Sequence, residues 1–269
     1  MPFLAQPAED VARWSRVTYA ALLDLAESAV GGDLGVLLRS GYVLDGEPEP
    51  PAWTEGLTRV GLTRIVDPTP KHRMGWGLRV PIVDMQLYLP YLVRRFESAG
   101  GTLTRRSLRA LPTEGIVVNC TGLAARELVG DPSVYPIRGQ VVRVSNPGVN
   151  TWLCDETDLD RVTYVIPHAR HVIVGGTVEP NEWSMTPDES VAAQILDRAC
   201  EVIPELRSAS ILSHGVGLRP ARSAIRLETV PGPEGTIVHC YGHGGSGITV
   251  SWGCADDVLA SVDELFAAI

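Results

Sequence analysis

Three groups of residues in this 269-residue chain could do chemistry. The first is Gly242-His243-Gly244-Gly245-Ser246-Gly247, which follows the run Thr236-Ile237-Val238-His239-Cys240-Tyr241 and precedes a helical pattern from Ile248. The spacing is G-x-G-x-x-G between a predicted strand and a predicted helix, where glycines let backbone N–H groups approach an electron-rich ligand at a helix N-terminus. A dinucleotide fingerprint also needs a following strand with an acidic residue about 20 positions on. The sequence ends within or just beyond the helix, so the pyrophosphate reading fails, and either a different ligand or a plain tight turn remains. The second group is Gly217-Leu218-Arg219-Pro220-Ala221-Arg222-Ser223. Pro220 biases Arg219 to an extended backbone, and a guanidinium held on such a segment suits bidentate capture of a carboxylate. The third comprises His239, Cys240, His243 and Cys254, with His168 and His171 close to each other elsewhere. His239 and Cys240 point to opposite faces of a strand, and no standard zinc spacing is present, so no metal is expected. Cys120 as a nucleophile is disfavoured because it closes an apolar, buried-type strand.

These groups need elements to hold them. Ala8 to Ser28 reads as an amphipathic helix with Val11, Trp14, Val17, Ala21, Leu22 and Leu25 on one face, stopped by Gly31-Gly32. Val36–Leu38 and Tyr42–Leu44 read as short strands split by Gly41, and 46–56 as a surface loop. A second helix is expected over Asp84–Ser98, with Leu87, Tyr91, Leu92 and Phe96 on one side and Pro90 inside it. Gly115 to Cys120 is a continuous β-branched run, the pattern of a strand buried on both faces in a parallel sheet. Gln140–Val144, Tyr164–Ile166 and His171–Val174 read as further strands, the last two as a hairpin. Thr186-Pro187-Asp188-Glu189 gives a helix start with Thr186 as cap, running to Val202 before Pro204.

Composition limits the function classes. With 45% hydrophobic and 20% charged residues the chain is globular, not disordered. Aromatics at 6% beside 27 Gly and 20 Pro indicate a turn-rich fold over a helical bundle. A net charge of −9 argues against nucleic acid and anionic membrane surfaces, and no uninterrupted apolar run reaches about 18 residues. Five widely spaced cysteines without a CxxC point to free thiols in a reducing compartment, so the cytoplasm is expected.

In order along the chain, Val117-Val118-Asn119-Cys120-Thr121-Gly122, Arg138-Gly139-Gln140, Tyr164-Val165-Ile166-Pro167, Val174-Gly175-Gly176, Gly217-Leu218-Arg219-Pro220-Ala221-Arg222 and Tyr241-Gly242-His243-Gly244-Gly245-Ser246-Gly247 resemble the D-amino-acid oxidase family of flavoenzymes. The similarity runs from Pro2 to the C-terminal helix. The resemblance implies an α/β fold: a partial Rossmann-like FAD-binding domain (1–30, 100–138 and 234–269) interleaved with a substrate domain (31–99 and 139–233) built on a mixed, largely antiparallel sheet. It implies FAD as cofactor, a D-amino acid as substrate and molecular oxygen as acceptor, giving a 2-oxo acid, ammonia and hydrogen peroxide; a homodimer is left open. By position Arg219 would bind the substrate carboxylate, Tyr164 would hydrogen-bond the same group, and the Gly245 carbonyl would accept from the amine. Thr121, Gly244, Gly245, Ser246, Gly247, Ile248 and Thr249 would line the flavin. No protein group need act as base, because the flavin takes the hydride.

Two departures stand out. The family's mobile active-site tyrosine is matched by Asp160, four residues before Tyr164. Met1-Pro2-Phe3 aligns after the family's opening strand, Gly-rich turn and helix, a unit of roughly 30 residues or more, so the expectation is a mis-assigned start and weak FAD retention. The alternatives are an impaired homologue acting as a binding module or half of a split oxidase, and an oxidase of glycine, D-aspartate or another amine, with Arg161 favouring an acidic side chain.

Overall fold

The computed structural model describes residues 5–44 and 46–267, with Leu159 as backbone only; the reading of the opening Met1-Pro2-Phe3 lies outside them. In chain order the main elements are α1 (Ala8–Glu27), β1 (Val36–Leu44), β2 (Thr63–Thr69), β3 (His72–Val83), α2 (Met85–Ser98), β4 (Glu114–Asn119), α3 (Ala125–Leu128), β5 (Tyr135–Ser145), β6 (Trp152–Asp155), β7 (Thr163–Pro167), β8 (His171–Gly175), β9 (Glu179–Pro180), α4 (Glu189–Val202), β10 (Ile211–Pro231), β11 (Glu234–His243) and α5 (Gly247–Ala267). The strands form one sheet in the order β2-β3-β1-β6-β7-β8-β5-β10-β11-β4, with β9 pairing beside β5. Among the described strands only β1–β6 and β11–β4 are parallel. The expected mixed, largely antiparallel α/β architecture is therefore what the chain adopts.

Apolar alternation in β5, β7 and β8 turns Val142, Val144, Val165, Val172 and Val174 to one face, where Ala192, Ile195 and Ala199 of α4 cover them. A second core lies between α1, α5 and the β10–β11 pair, built from Val11, Trp14, Ile225, Cys240, Val250 and Cys254. There α1 and α5 cross at Gly253, where a Cβ would come 2.2 Å from the Trp14 Cα. The crossing is fixed at its polar edge: Asp257 accepts from Trp14 Nε1 at 2.7 Å and from both Arg13 terminal nitrogens at 2.7 Å. The Thr18 hydroxyl accepts from the Trp252 and Gly253 N–H groups. Trp252 Nε1 in turn donates to Tyr88 of α2 at 2.9 Å.

Several local expectations are corrected. Gly41 does not split a strand. It sits inside β1 because the Trp152 ring lies against it, a Cβ there meeting that ring at 2.2 Å. The buried side of α2 is formed by Tyr88 with Tyr91 and Leu92, while Leu87 and Phe96 are exposed. The α4 cap is Asp188, whose carboxylate accepts from the Ser190 and Val191 N–H groups, not Thr186. Strand β4 is not buried on both faces: it ends the sheet, pairs with β11 alone among the described strands, and leaves Val118 and Cys120 exposed. A continuous apolar run reports strand tendency, and only the neighbours decide burial.

Substituting Gly253→Ala should lower stability by about 1–3 kcal/mol through overpacking of the α1–α5 crossing. The gain in helix propensity, about 1 kcal/mol, is smaller. A fall in the urea midpoint, read by circular dichroism, is the expected result.

Candidate active site

The Gly-rich segment folds as a strand end, a short 3-10 turn (Gly244–Ser246) and the first turn of α5. Gly242 has φ +85°, which L side chains rarely adopt, and a Cβ there would come 2.8 Å from that of Arg222. This turn forms one wall of a cavity of about 600 Å3. Tyr164, Arg219, Gly244, Gly245, Ile248 and Thr249 all line it. Ser246, Gly247 and Thr121 do not: Ser246 is fully buried, and Thr121 donates through its N–H and hydroxyl to the Asn119 side-chain oxygen. Asp160 and Arg161 are exposed and also lie off the wall. The remaining walls, from α1 (Ser15, Thr18, Tyr19) and from Val80, Ile82 and Trp152, carry no short-range sequence signal because they come from distant parts of the chain.

Two side chains reach the cavity only because glycines face them. Arg219 on β10 lies across Gly139 of β5, where a Cβ would be 2.2 Å from its Nη1. Tyr164 on β7 pairs with Gly175 of β8, where a Cβ would be 2.1 Å from its Cζ. The flanking residues of Arg138-Gly139-Gln140 turn to the other face of β5. Buried Arg138 donates to Glu179 at 2.6 Å and to the carbonyls of Ser184 and Thr186, and Gln140 exchanges two hydrogen bonds with the Asp188 backbone. The three residues therefore both make room for Arg219 and tie 179–188 to the sheet.

Arg219 donates to the Thr177 carbonyl at 3.2 Å and to the Arg138 carbonyl at 3.4 Å, and no carboxylate forms a salt bridge with it among the described residues. A half-buried guanidinium without a counter-charge is an anion site. Burial pushes the Tyr164 phenol up, against the opposing effect of Arg219, so it is a neutral donor at physiological pH.

Arg222 is three residues from Arg219, and in a regular strand the two would face opposite sides. A pairing irregularity between Ala221 and Arg226 brings both to the cavity wall. Arg222 is neutralised: its Nε donates to Asp131 at 3.1 Å, beside the Tyr241 hydroxyl at 2.8 Å and the Ser133 N–H at 3.0 Å. Burial alone would raise Asp131, but the Ser133 and Tyr241 hydrogen bonds and the Arg222 charge hold it at about 2. Arg222 and Arg219 thus play different parts, one structural and one open to a ligand.

The candidate metal ligands divide. His239 turns to Asn119, ring nitrogen to amide at 3.1 Å, and packs edge-on against Tyr241. Cys240, His243 and Cys254 converge on the opposite side. The Cys120 thiol is pushed far up by its hydrogen bond to Cys240 and by burial, which leaves it a poor nucleophile. His168 and His171 stack at 4.7 Å beside Asp84, remote in the sheet from the Gly-rich turn.

A mixed sheet with a Gly-rich strand–turn–helix and an uncompensated arginine on one cavity defines a cofactor-dependent enzyme for small anionic substrates. Residues 2–260 match the family described as FAD dependent oxidoreductase, and the chain belongs to that family. It is similar to the D-amino-acid oxidase of Rubrobacter xylanophilus, 41% identical over 266 residues, covering 96% of this chain and 81% of that protein. It is similar to the D-amino-acid oxidase of Streptomyces coelicolor at 40% identity (95% and 80% covered) and to human D-aspartate oxidase at 36% (98% and 80%). Its fold is that of glycine oxidase from Geobacillus kaustophilus, with TM-score 0.77 at 19% identity, covering 97% of this chain and 80% of that one. No helix among the described residues is long and apolar enough to cross a membrane.

Two measurements test the site's construction. In Gly139→Ala the new Cβ meets the far end of a flexible side chain, so the guanidinium moves while the fold holds. The KM for a carboxylate substrate should rise about tenfold or more, with the urea midpoint nearly unchanged. Asp131 has a pKa lowered from 3.8 to about 2, so its stabilisation is full above about pH 4 and lost as pH falls towards 2. Asp131→Asn should cost about 2 kcal/mol at pH 7, and the difference from wild type should shrink on acidification across that window.

Proposed function

We propose that this chain oxidises D-amino acids to 2-oxo acids with release of ammonia, using FAD and molecular oxygen. The observation that carries the reading is Arg219: a guanidinium without a salt bridge among the described residues, facing a cavity beside Tyr164 and the Gly244–Gly245 backbone. The names of the relatives supply the substrate class.

The residues present fit a flavin. The cavity, about 600 Å3, would be left mostly empty by an amino acid alone, and the turn beside it presents backbone instead of side chains at Gly244 and Gly245. Gly244, Gly245, Ile248 and Thr249 would hold the ring system near the α5 N-terminus, where the helix favours negative charge, while Ser246, Gly247 and Thr121 lie behind that wall and would support it. The flavin portion would comprise 1–30, 100–138 and 234–269, and the substrate portion 31–99 and 139–233. FAD, when bound, supplies the hydride acceptor for the substrate α-carbon and passes the electrons to oxygen as hydrogen peroxide.

The protein's part is positioning. Arg219 takes the substrate carboxylate and Tyr164 donates a second hydrogen bond to it. The Gly245 carbonyl accepts from the amine and sets its direction. The walls exclude water: Trp53, Leu57, Val80, Ile82, Trp152 and Ile166 form an apolar surface for the side chain. Arg161, being off the wall, offers an acidic side chain no attraction. The preferred substrates are therefore D-amino acids with apolar side chains, not D-aspartate. The five free thiols fit a reducing compartment, the cytoplasm.

Peroxide release should be seen with D-valine, D-leucine or D-methionine and FAD, and not with the L-isomers. Faster turnover of D-aspartate would overturn the side-chain assignment. Arg219→Ala should lower kcat/KM by on the order of 10²–10³, the loss of a charge-assisted pair. A second reading is a carboxylate-binding module without turnover, which would keep Arg219 and Tyr164 on the same cavity wall. Calorimetric binding of D-amino acids without any peroxide, with FAD present, would select it.

A further inference from the structure

The thiol–imidazole cluster behind the Gly-rich turn has no part in the proposed reaction. We infer that Cys240, His243 and Cys254 form a binding site for a soft d10 divalent cation of the zinc type, supplying three ligands and leaving the fourth position to solvent. Their ligand atoms all lie within 4.8 Å of one another. The Cys240 Sγ to His243 Nε2 distance is 3.7 Å. With bonds of about 2.3 Å to sulfur and about 2.05 Å to nitrogen, a tetrahedral zinc ion separates its ligand atoms by roughly 3.6–3.8 Å. The pair is thus already at coordination spacing, and the rest of the group needs only small closure.

The surroundings agree with this assignment. Cys240 and Cys254 are buried, packed among Val11, Trp14, Ile225 and Val250, so the ligands sit in a dry pocket. The Cys254 sulfur lies within 4.8 Å of both the Cys240 sulfur and the His243 ring nitrogen, which sets two sulfurs beside one imidazole. Each coordinating thiol gives its proton to solvent as its bond to the metal forms. The other cluster of this kind, Asp84 with His168 and His171, faces Arg39 and Arg143, whose positive charges oppose a cation.

The site joins two elements across the Gly-rich turn: Cys240 and His243 are on β11, with His243 its last residue and on the cavity wall, and Cys254 is two turns into α5. Binding would fasten the Gly-rich turn to the strand before it and the helix after it. The inference stands apart from the substrate reading and holds whether or not that reading does.

The test uses the full chain after dialysis against a chelator. Titration with Co2+ should saturate at one equivalent and give the sulfur-to-cobalt charge-transfer band and the strong red-end absorption of a tetrahedral thiolate site; Zn2+ should displace both. Zn2+, and not Mg2+, should raise the thermal midpoint by about 5 °C or more. Cys254→Ala and His243→Asn should each weaken metal affinity at least about tenfold, whereas Cys200→Ala, a buried thiol in the other core, should not. His243→Asn removes a half-exposed ring and guards against a folding failure of the cysteine variant. Absence of stoichiometric binding would overturn the assignment, as would a cobalt spectrum that survives both substitutions, or a disulfide among Cys120, Cys240 and Cys254 in place of metal.

Discussion

A charged side chain can stand in a cavity without a partner only if the backbone around it holds it there. Arg219 has no carboxylate to anchor it among the described residues; its donors meet the Thr177 and Arg138 carbonyls, and its body lies across the bare Cα of Gly139. Any side chain at Gly139 would occupy the guanidinium's own volume. Gly175 does the same for Tyr164. Both glycines lie on strands paired with the strand that carries the side chain they admit, so the binding pair depends on the register of β10 against β5 and of β7 against β8. A slip of one residue in the β10–β5 pairing would put Arg138 or Gln140 where Gly139 must be.

The opposite logic governs the neighbouring arginine. Arg222 reaches the same wall but is neutralised by Asp131, which Tyr241 and Ser133 hold ionised. Buried charges stay in place when every donor has an acceptor. The network links β10, β11 and the segment after α3, and keeps Arg222 from competing for an anionic ligand. Of the two guanidinium groups on the wall, Arg222 is paired and Arg219 has no salt bridge among the described residues, which is the arrangement the proposed carboxylate role needs.

Much of this was readable from local pattern. The β7–β8 hairpin, the long α1 and α5 helices, the extended Arg219 segment and the strand–turn–helix at Gly242–Gly247 follow from spacing and turn residues. Other features were not, each for a definite reason. The apolar run of β4 looks the same at a sheet edge as in a sheet interior. Gly41 reads as a break until Trp152, over a hundred residues away, supplies the ring that rests on it. Thr186 and Asp188 are both good caps, and only the reach of the Asp188 carboxylate to two N–H groups decides between them. The cavity walls from α1 and β3 have no signature, since each contributes a few small or apolar groups that are ordinary on their own. The thiol cluster was hidden because the strand's two-residue period separates His239 from Cys240, while the closing ligand comes from the far side of the turn, two helical turns along α5.

Strand β10 is one 21-residue ribbon that pairs with β5 along its first half and with β11 along its second. The irregularity between Ala221 and Arg226 sets the phase of the two halves relative to each other. In the loop at 46–56 an added or deleted residue changes only the reach of a surface segment. Between Arg219 and Arg226 the same change would invert one half of the ribbon, trading the cavity arginine or the Asp131 partner for a solvent-facing side chain. Length in this family member is therefore free to drift in its loops, but the eight positions from Arg219 to Arg226 form a fixed ruler whose divisions cannot be added to or removed.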